Sequence, residues 1–291
     1  MHPLIKELLQ TGPVVTDGAW GTQLQKRGLA RGESPDSWNL SNPSKVEEVA
    51  RLYVDAGSMI ILTNTFGSNR FVLEKMGLAD RAGEINRAGV EISKRAAGGR
   101  ARVFASMGPS GRMLMMGDVK AEELQAAFEE QAAAMAEGGA DGIVVETMMD
   151  INEAKIAAAA AKTTGLPVVV SMVYDSGKSK DRTMMGNTIE QVVEELSAIN
   201  VDVIGANCGQ GIEGFVPICA RIRQATELPI WIKPNAGLPE MEGGEVVYNT
   251  GPEEFVKYVP ELLSAGASFI GGCCGTDAEF IRAIVKTLRS A

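Results

Sequence analysis

Short apolar runs alternate with amphipathic stretches along the chain, and the alternation repeats eight times. Runs such as GIVVE, PVVVSMV and PIWIK are nearly continuous and rich in β-branched residues, as in parallel strands that are buried on both faces. The runs predict strands at residues 13–17, 58–63, 102–107, 141–146, 167–173, 201–207, 229–233 and 267–271.

Between these runs, apolar residues recur with the period of an α-helix. The pattern predicts helices at residues 45–56, 80–97, 121–137, 151–163, 189–199, 214–226, 253–265 and 278–289. Asp150 is placed to cap the fourth helix, and Thr188 with Gln191 fits a capping box at the fifth. Eight strand–helix pairs without a linker predict one α/β domain over residues 1–291, a (β/α)8 TIM barrel, with a doubly wound open sheet as the alternative.

Composition narrows the class of protein. The 291 residues carry a net charge of −9 and four cysteines. An acidic chain lacks the basic footprint of a nucleic-acid or anionic-membrane surface. No segment has the ~18 consecutive apolar residues of a membrane span, and the start, MHPLIKELLQ, does not resemble a signal peptide. The cysteines are too few for a disulfide framework, so we expect a cytoplasmic protein. From its charge and hydropathy we expect neither nucleic-acid nor membrane partners.

The only histidine, His2, lies at a terminus that we expect to fray. Catalytic triads, Cys–His pairs and histidine-rich zinc sites are therefore not expected. Catalysis has to use carboxylates, thiols, backbone groups or a metal held without imidazole.

Three cysteines follow predicted strands, at the carboxyl ends where barrel enzymes place their chemistry. Cys208 follows the sixth strand in NCGQG, and Cys273 and Cys274 follow the eighth in GGCCGT. Three thiols favour a zinc site with a fourth position open to a substrate. The alternatives are a vicinal disulfide or buried free thiols. Cys219 lies on the apolar face of a predicted helix and is expected in the core.

Neighbouring residues of a strand point to opposite faces, so Cys273 and Cys274 can share one ion only where the backbone leaves strand geometry. We expect the flanking glycines Gly271, Gly272 and Gly275 to provide that freedom.

The polar residues at the other predicted strand ends are suited to binding an amino acid. The glycines of DGAWGT, residues 17–22, expose backbone N–H groups that bind a carboxylate, unless this is a plain tight turn. Asp17 would repel a phosphate, whereas the ammonium of an amino acid fits near Asp17 or Glu146. Glu146 ends an apolar strand and needs a partner, either this ammonium or a core donor. Three asparagines also end strands, and they either orient substrate or tie loops together: Asn64, Asn207 and Asn235.

Together, DGAWGT, TNTF, MGPSG, ET, NCGQG, PNAGLP and GGCCGT resemble the homocysteine S-methyltransferase family, in the family's order and over nearly the whole chain. The resemblance implies a (β/α)8 barrel whose catalytic Zn²⁺ is held by three cysteines, here Cys208, Cys273 and Cys274. It also implies that homocysteine is bound at a first loop and a strand-four glutamate, matching Asp17, Gly18 and Glu146; Asn207 is our further candidate contact.

Within this family, the sequence resembles the homocysteine-binding domain of cobalamin-dependent methionine synthase. We expect zinc-dependent transfer of a methyl group to the thiol of homocysteine, giving methionine. The donor is a free methylated compound or methylcobalamin on a separate corrinoid protein. Betaine is disfavoured because Thr147 stands where betaine-dependent relatives have a tyrosine suited to cation–π contact.

Three other functions are open at this point. The acceptor can be another small thiol, methylated with a partner corrinoid protein. Lys233, at the end of the seventh strand, can be the Schiff-base lysine of an aldolase-like barrel. The chain can also be a non-catalytic zinc-binding subunit.

Overall fold

The structure, a computed structural model, describes residues 1–242 and 245–290. Its strands are Val14–Val15 (β1), Ile60–Ile61 (β2), Arg102–Met107 (β3), Gly142–Met148 (β4), Val168–Met172 (β5), Val203–Gly211 (β6), Ile230–Asn235 (β7), Pro239–Glu242 (β8), Glu245–Tyr248 (β9) and Ala267–Ile270 (β10). Its helices are Pro3–Leu8 (α1), Gly21–Gln25 (α2), Trp38–Ser41 (α3), Pro43–Ala56 (α4), Arg70–Glu74 (α5), Ala82–Ala97 (α6), Ala121–Glu137 (α7), Ile151–Lys162 (α8), Ile189–Ala198 (α9), Ile212–Ala225 (α10), Pro252–Phe255 (α11), Val259–Ser264 (α12) and Ala278–Ser290 (α13).

Eight parallel strands form one sheet in the order β1, β10, β7, β6, β5, β4, β3, β2. The N–H of Met59, just before β2, donates to the carbonyl of Val15 in β1 at 2.8 Å, which joins the two ends of the sheet. The predicted (β/α)8 barrel is therefore confirmed, and the open doubly wound sheet is wrong.

One large apolar side chain from each barrel strand fills the interior: Val14, Ile60, Phe104, Val144, Val169, Val203, Trp231 and Phe269. Helix α1 adds Ile5 and Leu8 to the same cluster and covers its amino-terminal end. Because the interior is packed and α1 closes its amino-terminal end, the open face of the barrel is the one at the carboxyl ends of the strands.

The terminus around His2 is packed, so the expectation that it frays was wrong. His2 Nδ1 accepts from the N–H of Leu4 at 3.1 Å and caps α1, and the His2 N–H donates to Asp202 Oδ1 at 2.5 Å. Asp202 precedes β6, which places His2 at the end of the barrel opposite Cys208.

The predicted elements agree well with the structure, and β3 and α7 match residue for residue. The Asp150 cap and the Thr188–Gln191 capping box are both present. The predicted helix at 253–265 is interrupted by a 3-10 turn, Val256–Tyr258, and restarts at α12 with Pro260 in its first turn. Strands β8 and β9 form an antiparallel hairpin that was not expected. None of the helices among the described residues has the length and apolar character needed to cross a membrane.

Candidate metal and substrate site

The structure brings Cys208, Cys273 and Cys274 together. Their sulfur atoms all lie within 4.8 Å of one another, and the sulfurs of Cys208 and Cys274 are 3.9 Å apart. All three are free thiols, which argues against the vicinal disulfide. A tetrahedral Zn²⁺ with Zn–S bonds of about 2.3 Å separates its sulfur ligands by about 3.8 Å. The spacing of the three sulfurs therefore fits one zinc ion.

Cys208 faces its two partners because β6 is irregular at this point. The pairing of β6 with β7 shifts register between Asn207 and Gly211, and Cys208 has a φ of 63°, in the left-handed region. Such backbone costs about 1–3 kcal/mol for a non-glycine residue and concentrates at functional sites. The residue pattern of β6 does not predict this bulge.

Cys273 and Cys274 lie in a turn just beyond β10. The N–H of Cys273 donates to the carbonyl of Pro234 at 2.7 Å, and that of Cys274 donates to Asn235 Oδ1 at 3.1 Å. The hydroxyl of Thr276 closes the turn by donating to the Cys273 carbonyl at 2.7 Å. The neighbouring thiols are thus held outside strand geometry, on the same side of the chain.

The glycines around this pair have two different roles. Gly275 has a φ of 82° and supplies the expected backbone freedom. Gly271 is required instead for close packing, because a Cβ there would lie 2.0 Å from Thr16 Oγ1 and 2.6 Å from the Asp17 carbonyl oxygen. A Cβ on Gly272 would likewise lie 2.3 Å from Thr276 Oγ1. Neither Gly271 nor Gly272 has a positive φ, so the expectation that these two provide backbone freedom was wrong, and close packing requires them instead.

Mutual contacts set the charge of the three thiols. Hydrogen bonds from Cys273 and Cys274 lower the pKa of Cys208, and the reciprocal contact with Cys208 raises the pKa of Cys273 and of Cys274. One of the three thiols ionises readily, and the negative charge of its thiolate opposes the ionisation of the other two. A divalent cation allows all three to ionise, so the donor set fits Zn²⁺.

The three thiols line a cavity of about 550 Å³ at the carboxyl end of the barrel. Its volume lies in the range of about 300–1,000 Å³ that is usual for small-ligand sites. Other groups on the cavity wall include Gly18, Trp20, Thr22, Phe66, Glu146, Thr147 and Lys233. Of the other predicted substrate-binding residues, Asp17 and Asn207 are fully buried behind this wall.

Asp17 is held by three donors from the protein. Its carboxylate accepts from Lys233 Nζ at 2.5 Å, from Trp20 Nε1 at 2.8 Å and from the N–H of Leu62 at 2.7 Å. A substrate ammonium would have to displace one of these donors to reach Asp17. The geometry therefore favours Glu146 over Asp17 for this contact.

Glu146 presents a carboxylate on the cavity wall with acceptor capacity to spare. Among the described residues, its side chain has one hydrogen-bond partner, the hydroxyl of Ser106, which donates at 2.5 Å. Burial raises the pKa of Glu146, although the charge of Lys233 and the Ser106 hydrogen bond act in the opposite direction. A cationic group in the cavity would stabilise this carboxylate.

Asn207 braces two irregular strand ends. Its Oδ1 accepts from the Thr147 N–H at 2.9 Å and from Ser171 Oγ at 2.7 Å. Its Nδ2 donates to Thr147 Oγ1 at 2.7 Å and lies 3.8 Å from Cys273 Sγ. Thr147 has a φ of 60°, at a register shift between β4 and β5. Asn207 therefore supports the residue after Glu146 and one of the thiols.

We expect Asn207→Ala to lower the free energy of unfolding by about 3 kcal/mol, because it leaves the buried Ser171 hydroxyl and the Thr147 N–H without their acceptor. Urea unfolding followed by circular dichroism measures the change. A loss within about 0.5 kcal/mol, the range of ordinary surface substitutions, would mean that these hydrogen bonds do not brace the site.

Sequence reasoning missed several residues of the site. Lys233 was considered only as a Schiff-base lysine, and Ser106 was not considered. Tyr248, on β9, packs so closely on Gly275 that a Cβ there would lie 2.4 Å from Tyr248 Cγ. Burial and the neighbouring Cys274 raise the pKa of Tyr248. The alternating stretch PEMEGGEVVY with its glycine pair is the hairpin signal that could have found β8 and β9.

The chain is similar over nearly its whole length to curated proteins named methionine synthase. The chain is 28% identical over 309 residues to a methionine synthase of Mycobacterium leprae and 29% identical over 301 residues to one of Mycobacterium tuberculosis. These alignments cover 99% and 97% of this chain but 25% of each relative, so the chain spans about a quarter of the length of the curated relatives it matches.

Among solved structures, the metallated form of the homocysteine methyltransferase MmuM from Escherichia coli superposes with a TM-score of 0.82, at 23% identity, over 99% of this chain and 100% of that one. At this identity the match supports the barrel fold. The sequence model of the homocysteine S-methyltransferase family matches residues 14–288, which include all three clustered cysteines and Glu146. The chain belongs to the homocysteine S-methyltransferase family.

Proposed function

We propose that this protein transfers a methyl group from a methyl donor to the thiol of homocysteine, with Zn²⁺ bound by Cys208, Cys273 and Cys274. One observation carries the proposal: three thiols from distant parts of the chain converge on the wall of a cavity that also presents Glu146. Family membership supports the transfer of a methyl group to homocysteine.

The chemical problem is to make a thiol nucleophilic at neutral pH, since a free thiol has a pKa of about 8.5. When Zn²⁺ is bound, it would supply this step by stabilising a coordinated acceptor thiol as the thiolate. No general base is then needed from the protein. This agrees with the described residues of the cavity wall, which include no histidine.

The chain's own residues bind and orient the acceptor. Glu146 binds its ammonium, and Gly18, from the loop after β1, lines the same cavity. Asp17 acts through the side chains that it holds, Trp20 and Lys233. Alignment of the acceptor sulfur with the donor methyl carbon supplies much of the rate in such a displacement. The donor is a free methylated compound or methylcobalamin carried by a separate corrinoid protein.

An aldolase-like function is disfavoured by the state of Lys233. A Schiff-base lysine has to be neutral to attack a carbonyl. Although burial lowers the pKa of Lys233, the charges of Asp17 and Glu146 outweigh it, and the pKa is raised overall. The lysine is thus held as an ammonium.

Metal analysis combined with a donor screen tests the proposal. We expect about one zinc ion per chain and methionine formation from homocysteine with methylcobalamin, S-methylmethionine or S-adenosylmethionine. If a zinc-loaded protein forms no methionine with any of these donors, supplied free or on a corrinoid protein, the proposed function is wrong.

A further inference from the structure

The bulge of β6 that carries Cys208 is held from two sides. Cys208 and Gly209 both have left-handed backbone, with φ values of 63° and 77°. This conformation is unfavourable for cysteine and persists only where contacts with the surroundings fix it. Asn207 anchors one side of the bulge through hydrogen bonds to β4 and β5. The other side is anchored by Gln210, which is 9% exposed.

Gln210 joins the bulge to the loop after β5, residues 173–188. Its Nε2 donates to the carbonyl of Tyr174 at 2.5 Å and to the carbonyl of Lys180 at 2.7 Å. Both N–H groups of the amide are therefore used. One side chain thus ties the end of β6 that carries Cys208 to two separate points of the neighbouring loop.

The loop after β5 is itself fixed. Ser176 pairs with Arg182, and Arg182 pairs with Thr188, in two antiparallel bridges that close the loop on itself. The loop also packs directly against the bulge, because a Cβ on Gly209 would lie 3.0 Å from Val173 Cγ1. The carbonyls that accept from the amide therefore belong to a segment that does not depend on the bulge alone for its conformation.

The amide is also confined on the side of α10. Gly214 lies in the first turn of α10, and a Cβ there would lie 2.5 Å from Gln210 Oε1. The glycine leaves the room that the amide occupies. Because hydrogen bonds hold one side of the amide and close packing holds the other, the backbone of the bulge next to Cys208 has little freedom to move.

We propose that Gln210 is a positioning residue for Cys208, whose sulfur it keeps directed at the other two thiols before the metal binds. The inference rests on the proposed zinc site. A ligand that has to be ordered when the metal binds lowers the affinity, whereas a ligand already held in place does not. Loss of the Gln210 hydrogen bonds should therefore destabilise the zinc-loaded protein more than the metal-free protein.

A thermodynamic cycle tests this role. Gln210→Met keeps the length of the side chain without its N–H donors. We expect its zinc dissociation constant, measured by competition with a chelator, to rise about 10-fold, the usual worth of one or two hydrogen bonds. Urea unfolding should show the larger loss of stability in the zinc-loaded protein. A side chain that supports only the fold would destabilise both forms equally and leave the dissociation constant unchanged.

A second variant reaches the same contact from α10 and carries the test if Gln210→Met does not fold. Gly214→Ala places a methyl group against Gln210 Oε1, and alanine is the better residue within a helix. This variant should also raise the zinc dissociation constant. With Co²⁺ in place of zinc, both variants should show weaker sulfur-to-cobalt charge-transfer absorption at equal cobalt content, because Cys208 is less well placed to bind the ion.

Gln131→Met is the matched control. Gln131 is fully buried, and its Nε2 donates to the Thr65 carbonyl at 3.1 Å, in the loop after β2, which carries none of the three cysteines. The control should destabilise the metal-free and zinc-loaded proteins equally. Its zinc dissociation constant should stay within about twofold of the wild-type value, as expected for independent sites.

The possible failures are distinguishable. If the zinc dissociation constant of Gln210→Met, or of Gly214→Ala where the first variant does not fold, stays within about twofold of the wild-type value, Gln210 supports only the fold. The inference is then wrong while the proposed function stands. If the wild type binds no zinc, the proposed function fails together with the inference.

Discussion

Replacing Cys273 by serine is expected to remove the bound zinc and abolish methyl transfer at the same time. The serine hydroxyl stays protonated at neutral pH and does not replace a thiolate ligand. If four ligands share the roughly 10–16 kcal/mol of a tight zinc site, each contributes about 3 kcal/mol, a loss of roughly a hundredfold or more in zinc affinity. Elemental analysis after dialysis and an assay of methionine formation measure the two losses.

Cys219→Ser is the matched control, because Cys219 is a buried thiol of α10 that faces the carbonyls of Leu262 and Ala265 at 3.9 and 3.6 Å. Burial raises the pKa of Cys219 to about 12, so this thiol stays protonated. The control should retain zinc and activity. Full zinc occupancy in Cys273→Ser would remove Cys273 from the metal site.

The meeting of the three thiols was predictable from the sequence because the topology of a barrel decides it. Each parallel strand ends at the same rim, so residues that directly follow β6 and β10 share one face however far apart they lie in the chain. The apolar runs and amphipathic helices were enough to count the strands. That count brought Cys208 to the same rim as Cys273 and Cys274, 65 and 66 residues further along the chain.

The partners of the charged residues could not be predicted in the same way. Asp17 and Lys233 lie 216 residues apart, and each ends a predicted strand, as many polar residues do. Their positions at the carboxyl ends of the strands place both residues near the cavity. Which side chain each one pairs with depends on contacts of about 3 Å, which the sequence does not specify. Asp17 was therefore expected to bind the substrate, whereas its carboxylate already has three donors in the structure.

The irregular strand ends were also beyond the sequence pattern. Thr147 and Cys208 adopt a left-handed backbone conformation although neither is glycine, and their residue types do not predict it. The hydrogen bonds of Asn207 and the register shifts of β4 and β6 hold them in place, and both are tertiary features. The position of Asn207 at the end of a predicted strand makes it a candidate for substrate binding but does not distinguish that role from this bracing.

Glu146→Gln is expected to raise the KM for homocysteine by about 10- to 100-fold, because it replaces a charge-assisted bond to the substrate ammonium by a neutral one, with kcat changed little. The pH profile should change as well. Burial raises the pKa of Glu146 above its ordinary value of 4.5, so kcat/KM of the wild type should fall as the pH drops through this raised pKa, where the carboxylate becomes protonated. The variant should lack this acid limb.

Stability separates this binding role from a structural one. Because the folded state raises the pKa of Glu146, its charged form costs stability at neutral pH, and Glu146→Gln should melt no lower than the wild type. Glu153→Gln is the matched control: Glu153 is also buried with a raised pKa, but it accepts from the Ser110 N–H and hydroxyl at 2.7 and 2.6 Å and does not line the cavity. By the same argument Glu153→Gln should melt no lower than the wild type, and its KM for homocysteine should be unchanged. A lower melting temperature with an unchanged KM in Glu146→Gln would assign Glu146 to the fold instead of the substrate.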